Sequence, residues 1–319
     1  LILNMTTSLE RAQGCLLGQL AGDALGSLVE FKGPEAIRRA YPNGVRELAD
    51  GGTFNTIAGQ PTDDSEMALL LARMLVERGA YDAEAALEAY KYWVNSGPFD
   101  CGNTIAAALD DRPNPKSQAN GAMMRISPLG IFGADHKLSD VAEWARQDAE
   151  LTHPNPVCIQ ANALFTMAIA HAVRTGVHGN ALYEELVAWA ADMVIDDTLK
   201  TAIEKAATEQ PTGFASSKSG WVLIAFQNAL YQLTHTASLE EAIVDTIMQG
   251  GDTDTNAAIC GALLGAVHGR AAIPAQWQEK VLACRPQAGK AGVRHPRPEC
   301  FWPVDALELA EHLLSNSTG

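Results

Sequence analysis

Gly14-Cys15-Leu16-Leu17-Gly18-Gln19-Leu20-Ala21-Gly22-Asp23-Ala24-Leu25-Gly26 is the stretch on which the fold turns. Its glycines recur every four residues, so in a helix they line one face and leave a groove in which a neighbouring backbone can settle. Glycine inside a soluble helix costs roughly 1 kcal/mol relative to alanine, so a stripe of four points to close packing that offsets the loss. The same spacing returns at Gly261, Gly265 and Gly269. Two glycine-striped helices are expected to pack together and to draw two acidic segments toward each other.

Those segments are Pro61-Thr62-Asp63-Asp64-Ser65-Glu66 and Gly250-Gly251-Asp252-Thr253-Asp254-Thr255-Asn256, each leading into an apolar, alanine-rich stretch. Carboxylates gathered in one small volume raise each other's pKa and repel unless a cation sits among them. Oxygen-only donors suit a hard divalent ion, Mg²⁺ or Mn²⁺, better than zinc or copper. Paired acids on facing helix ends fit a binuclear site. A plainer reading stands beside this one. Asp63-x-x-Glu66 matches a capping signature, acids in a first turn complement the helix dipole, and glycines ahead of an N-cap are ordinary. For either segment alone capping is the commoner explanation, whereas the two together favour a metal centre.

The chain has 319 residues, 47% apolar and only 6% aromatic, which favours closely packed helices over a sandwich or barrel. The expected architecture is all-α, one compact multi-helix domain over residues 8–319 behind a tail at 1–7, with a cleft formed by loops and helix N-termini. Leu1 to Asn4, ahead of Met5, read as an expression remnant or the end of a trimmed extension. Ser8 is the expected first N-cap. Helical patterns follow at 65–78, 83–95 with Leu87, Tyr90 and Trp93 inward, 138–151, 157–175, 180–193, 199–207, 220–233 and 239–248. Residues 30–59 and 96–128 read as loops rich in Gly, Pro and Asn. A net charge of −15 argues against a nucleic-acid surface. Six scattered cysteines without a C-x-x-C pair suit reduced thiols in a cytoplasmic protein. No uninterrupted apolar run reaches the length of a membrane span.

Further candidates sit in the loops, each with an unremarkable explanation of its own. Glu30 fits an ordinary surface glutamate, Asp100 an Asx-turn, His153 a helix cap, and Asn120-Gly121 a turn. Taken in order, however, Gly22-Asp23-Ala24-Leu25-Gly26 with Glu30, Thr62-Asp63-Asp64-Ser65, Asp100-Cys101-Gly102-Asn103, Asn120-Gly121-Ala122-Met123-Met124-Arg125, His153-Pro154 and the segment Gly250 to Asn256 form a specific set. The chain resembles the ADP-ribosylglycohydrolase family, which includes the glycohydrolase that reactivates dinitrogenase reductase and the ADP-ribosyl-acceptor hydrolases. The resemblance runs from about Leu9 to Gly269, and the run Arg294-His295-Pro296-Arg297-Pro298 carries no part of it.

The resemblance implies an all-α domain with two Mg²⁺ or Mn²⁺ ions. Their ligands would be Thr62, Asp63, Asp64, Asp252, Asp254 and Thr255. Glu30, Asp63 and Asp100 would be catalytic, while Gly102, Asn120, Gly121, Met124 and His153 would hold ADP-ribose. Ser65 replaces the threonine of some relatives and keeps its hydroxyl. The implied reaction is hydrolysis of the bond between a ribose anomeric carbon and an acceptor side chain. Its oxocarbenium-like transition state is helped by nearby carboxylates, and metals orient ribose hydroxyls and activate water. The Asn120-Gly121-Ala122 turn offers N–H donors to the diphosphate.

The Asp100 motif resembles the arginine-directed members, and an aspartate can pair with a guanidinium in bidentate fashion. The expected partner is therefore a protein ADP-ribosylated on arginine, and direct contact with an ADP-ribosyltransferase, as in toxin immunity, extends that expectation. Alternatives are a serine-directed hydrolase and a non-catalytic ADP-ribose- or toxin-binding protein, whose sign would be lost ligands. A diphosphate-ionising lyase of terpenoid-synthase type fits poorly, because Asp63-Asp64-Ser65-Glu66-Met67 lacks the last acid of D-D-x-x-D and aromatics are sparse.

Overall fold

The computed structural model describes residues 6–316. Along them run α1 (Ser8–Gly26), α2 (Pro34–Ala40), α3 (Asp63–Arg78), α4 (Ala83–Asn95), α5 (Asn103–Leu109), α6 (Ser127–Phe132), α7 (Leu138–Glu150) and α8 (Pro156–Thr175). They continue with α9 (Gly179–Met193), α10 (Asp197–Ala206), α11 (Val222–His235), α12 (Leu239–Met248), α13 (Thr253–His268), α14 (Ala275–Ala283) and α15 (Ala306–Ser315). No strand is present among the described residues, and the extended pairings are the isolated bridges Gly51 with Thr56 and Ala119 with Trp221. The fold is all-α, as the composition predicts.

At the centre α1 and α13 lie antiparallel with their glycine faces in contact. A Cβ on Gly14 would lie 2.4 Å from Gly265 O, one on Gly18 2.3 Å from Gly261 O, and one on Gly22 2.2 Å from Ala257 O. These are backbone atoms, which cannot swing aside. The register sets the C-terminal end of α1 against the first turn of α13, where a Cβ on Gly26 would meet Thr253 O at 2.4 Å. Thr253 Oγ1 donates to Gly26 O at 2.7 Å and seals that end. Gly269 differs from the other glycines of the stripe: with φ +77° it terminates α13 rather than lying within it.

Several boundaries depart from expectation for identifiable reasons. Thr7, not Ser8, caps α1 through a capping box in which Glu10 N–H donates to Thr7 Oγ1 at 3.1 Å and Thr7 N–H to Glu10 Oε2 at 2.7 Å. Residues 1–5 of the expected tail lie outside the described residues. Helix α2 forms inside the stretch that reads as loop, because proline at a first helical position is favourable although Gly33-Pro34 resembles a turn. Alanine-rich α5 emerges in the same way from the second loop-like stretch. In α4, Tyr90 and Trp93 are buried as predicted, while Leu87 is only partly so.

By length and mean hydropathy α8 is apolar enough to cross a membrane, because scattered Gln, Asn and His interrupt its run without lowering the average much. It is mostly buried within the core, packed on α7, α6 and α13. All six cysteines are free.

The run Arg294 to Pro298, which carries no part of the resemblance, is an anchor. Arg297 makes a two-pronged pair with Glu66, both contacts 2.8 Å, and donates to Ser96 O and Gly97 O at 3.0 and 3.1 Å. His295 O accepts from Gln60 Nε2 at 2.7 Å, and its ring packs tilted against Phe99 with centroids 4.7 Å apart. The C-terminal segment thus braces the chain just ahead of both Thr62 and Asp100.

Two predictions follow from these contacts. If helix propensity governed Gly18, Gly18→Ala would stabilise the protein by roughly 1 kcal/mol. The 2.3 Å approach reverses the sign, so thermal unfolding is expected to show a loss of about 2 kcal/mol or more. Arg297→Met strands the buried Glu66 carboxylate and is expected to cost about 3–5 kcal/mol in denaturant titration, whereas a change under 1 kcal/mol would refute the anchor.

Candidate active site

The antiparallel register of α1 and α13 decides which carboxylates meet. Asp23, one turn before the end of α1, is fully buried and faces the start of α3. Thr62 N–H donates to both its oxygens at 3.1 and 3.2 Å, Ser65 N–H donates to Oδ2 at 3.2 Å, and Thr62 Oγ1 lies 2.8 Å from Oδ1. Asp23 therefore satisfies two backbone N–H groups at the start of α3 from another helix. Thr62, at the N-cap position, makes no capping bond of its own, and neither does Asp252 at the start of α13. Glu66, the partner the capping-box reading requires, is held instead by Arg297 and by Trp93 Nε1 at 2.9 Å. The capping-box reading of the first segment thus fails on geometry, although Asp63, Asp64 and Glu66 do stand in the first turn of α3, where acids complement the helix dipole.

The loop leaving α1 brings Glu30 to the same place. Phe31 has φ +62°, a left-handed conformation uncommon for a bulky residue, and its N–H donates to Gly251 O at 2.8 Å. Gly251 N–H returns a bond to Lys32 O at 3.0 Å, and Thr53 Oγ1 holds Glu30 O at 2.9 Å. This pair of backbone bonds fastens the Glu30 loop to the second acidic segment.

Two groups of three carboxylates result: Asp23, Asp64 and Asp254, and Glu30, Asp100 and Asp254, with ligand oxygens within 4.8 Å of one another in each. Glu30 Oε2, Asp64 Oδ1 and Ser65 Oγ are buried without a hydrogen-bond partner. Buried oxygens rarely stay unpaired, and an all-oxygen donor set fits a hard divalent cation. The clusters are therefore able to hold metal.

Crowding has the expected electrostatic result. Burial, reinforced by the charges of Asp100 and Asp252, pushes Glu30 up to about 8. Burial raises Asp23 to about 6. Asp63, Asp64 and Asp254 lie well above the usual carboxylate range, from burial first and then from neighbouring carboxylates. Burial likewise raises Asp100 and Asp252.

A cavity of about 470 Å³ opens beside these groups. Of the residues expected to form the site, Glu30, Asp63, Asp100, Gly102, Asn120, Gly121, Met124, His153, Asp252 and Thr255 line it. Thr62, Asp64 and Asp254 are buried and absent from its wall. Asn120 Nδ2 donates to Asp252 Oδ2 at 2.7 Å, and its backbone N–H to Gly220 O at 2.9 Å, so this residue orients an acid. Asp100 Oδ1 accepts from Cys101 N–H at 2.9 Å, and its carboxyl group lies against that of Asp63 at the cleft wall. A depression of similar size, about 480 Å³, lies between α10, α11 and the loop at 207–221, and among the described residues no carboxylate cluster adjoins it.

Asp23 is absent from the expected ligand set although it lies within Gly22–Gly26, since a carboxylate inside a helix carries no sequence sign of its partners. Asp148, fully buried and paired at 2.9 Å with the Arg125 that ends the Asn120 motif, was equally silent. Phe31 could be found only through its backbone conformation.

Over residues 4–311 the chain matches the family described as ADP-ribosylglycohydrolase, well past the Gly269 at which the resemblance was expected to end. It is 30% identical to the ADP-ribosyl-dinitrogen reductase glycohydrolase of Rhodospirillum rubrum, across 85% of this chain and 90% of that protein. It is 29% identical to the ADP-ribosylarginine hydrolase Tri1 of Pseudomonas putida (strain GB-1), across 86% and 75%. A solved structure described as an ADP-ribosylglycohydrolase-related protein complex superposes with TM-score 0.78 at 26% identity, covering 97% of this chain and 99% of that one. With its carboxylates gathered by an all-helical scaffold of the same shape, this chain belongs to the ADP-ribosylglycohydrolase family.

Proposed function

We propose that this protein removes ADP-ribose from a modified arginine side chain of another protein, using two divalent ions, Mg²⁺ or Mn²⁺. The observation that carries the reading is the pair of carboxylate triads sharing Asp254 beside an open cleft. When bound, such ions supply a water of lowered pKa and a hold on ribose hydroxyls.

The chain's own groups do the rest. Asp63 and Asp252 face the cleft and present negative charge to the cation-like anomeric carbon of the transition state. Asn120 keeps Asp252 in place through its 2.7 Å bond. Asp23 holds Thr62 and Ser65, and with them the first turn of α3. Glu30 and Asp100 share a triad, so either can manage a proton at the leaving group, while Asp100, the less buried of the two and close in sequence to Gly102, would meet the guanidinium. Gly102, Gly121, Met124 and His153 line the remaining wall, where the nucleotide would lie. Arginine as acceptor draws support from relatives named ADP-ribosylarginine hydrolase. A serine-linked substrate is the second reading, supported by relatives named ADP-ribosylhydrolase ARH3 at 24–26% identity. Contact with the ADP-ribosyltransferase itself extends the proposal, and a pull-down with Asp63→Ala checks it.

With Mg²⁺, the protein is expected to release ADP-ribose from arginine-linked substrate, to stop in EDTA, and to lose about 100-fold or more in kcat on Asp63→Ala or Asp254→Ala. Release that continues in EDTA overturns the metal requirement, and release from serine-linked substrate alone overturns the acceptor.

Stability carries a second signature. Glu30, at about 8 in the folded chain, retains a proton that the unfolded chain has already lost above pH 6. A group with a raised folded pKa contributes stability at low pH and loses it as pH rises through the folded value. The slope is about −1.4 kcal/mol per pH unit for each proton retained. In chelator, the melting temperature is therefore expected to fall between pH 6.5 and 8, and saturating Mg²⁺ to abolish the fall. A flat profile in chelator would contradict the crowding.

A further inference from the structure

His153 is the one residue of the cleft wall whose nitrogen is buried without a partner among the described residues. The ring is fully buried, yet it borders the cavity. Beneath it runs a chain of bonds with a fixed direction. Tyr90 OH donates to Asp148 Oδ2 at 2.7 Å, and Asp148 Oδ1 accepts from Arg125 Nε at 2.9 Å. Arg125 Nη1 then donates to Thr152 Oγ1 at 2.8 Å, and Thr152 Oγ1 lies 2.8 Å from His153 Nδ1.

Arginine can only donate. Thr152 Oγ1 therefore accepts from Arg125 and has a single proton to give. Among the described residues, the acceptor in contact with that hydroxyl is His153 Nδ1. If Nδ1 accepts, the neutral imidazole carries its proton on Nε2. The opposite tautomer would leave the buried hydroxyl proton unpaired and turn a bare lone pair toward the cleft. Burial and the Arg125 charge also hold the imidazole neutral, with its pKa down at about 3.

Gly121 keeps this nitrogen accessible. A Cβ at that position would lie 3.0 Å from His153 Cε1 and 3.2 Å from Nε2. A side chain there would crowd the donor that Arg125 and Thr152 orient.

We propose that Arg125 and Thr152 are positioning residues that lock His153 as the Nε2–H tautomer, so that an otherwise acidic cleft offers one uncharged donor to an anionic oxygen, a diphosphate oxygen of the nucleotide. The identity of that oxygen rests on the ADP-ribose reading above, whereas the tautomer rests on the hydrogen-bond geometry alone. A neutral donor serves an acidic cleft better than an imidazolium, which would be drawn into an ion pair with the carboxylates. It also rejects a ligand that presents a donor at this point.

The test uses full-length protein labelled with ¹⁵N-histidine, with the His153 signals assigned by comparison with His153→Gln. Long-range ¹H–¹⁵N spectra are expected to show a pyridine-like Nδ1 and a pyrrole-like Nε2 for His153. Thr152→Val is expected to scramble that pattern and weaken ADP-ribose binding about tenfold by calorimetry, and Thr152→Ser to restore both. Gly121→Ala is expected to weaken binding while leaving the tautomer unchanged. A wild-type spectrum with the proton on Nδ1 overturns the lock whatever the variants do, as does Thr152→Val with an unaltered pattern. An Nε2–H spectrum without measurable ADP-ribose binding supports the lock and sinks the nucleotide reading, so the two failures are distinguishable.

Discussion

The contact between the glycine faces of α1 and α13 is the constraint from which the site follows. Carbonyl oxygens lie where Cβ atoms would otherwise stand, so the two backbones meet with no side chains between them. Such contact tolerates little sliding, because each glycine opposes a backbone atom at one register only. In an antiparallel pair so fixed, the end of α1 and the start of α13 become a single location. Asp23, Glu30, Asp252 and Asp254 all issue from it, and α3 completes the set by docking its first turn on Asp23.

That docking inverts the usual relation between a helix start and its acids. Acidic residues in a first turn commonly serve their own helix, by capping or by complementing its dipole. Here the N–H groups of Thr62 and Ser65 at the start of α3 are satisfied from α1, and Glu66 is paired from the C-terminal segment by Arg297. Asp63 and Asp64 keep their like-charge neighbours, with no cationic side chain paired to them among the described residues. The fold bears that repulsion, which adds to burial in raising both carboxylates well above their usual range. On the opposite wall the arrangement is reversed, since Arg125, Asp148, Thr152 and His153 form a directed chain that leaves one donor facing the cavity. One side of the cleft therefore suits cations and the other suits an anion.

Much of this was legible in the residues because it depends on short-range periodicity. The glycine spacing foretold helix on helix, and the paired acids foretold crowded carboxylates. The elements that were not legible share a cause. Helix α2 hides behind Gly33-Pro34, whose local signal for a turn and for a helix start is the same. Asp23 reads as one polar residue in an apolar helix, and only the partner it meets makes it a cap. His295 and Arg297, far from the motifs in sequence, contact Gln60, Phe99 and Glu66 across more than half the chain.

The sequence by itself determined the helical class, the faces that pack and the presence of oxygen donors in two segments, since each depends on spacing along a single helix or on residue chemistry. Only the tertiary structure decided which acids share a cluster, that Asp23 and Arg297 take the partners a capping box would need, and which nitrogen of His153 is left without a partner. Those outcomes depend on the direction and distance of partners remote along the chain. Hydrogen bonds reach about 3 Å and discriminate donor from acceptor, and no local pattern of residues encodes which partner arrives within that reach.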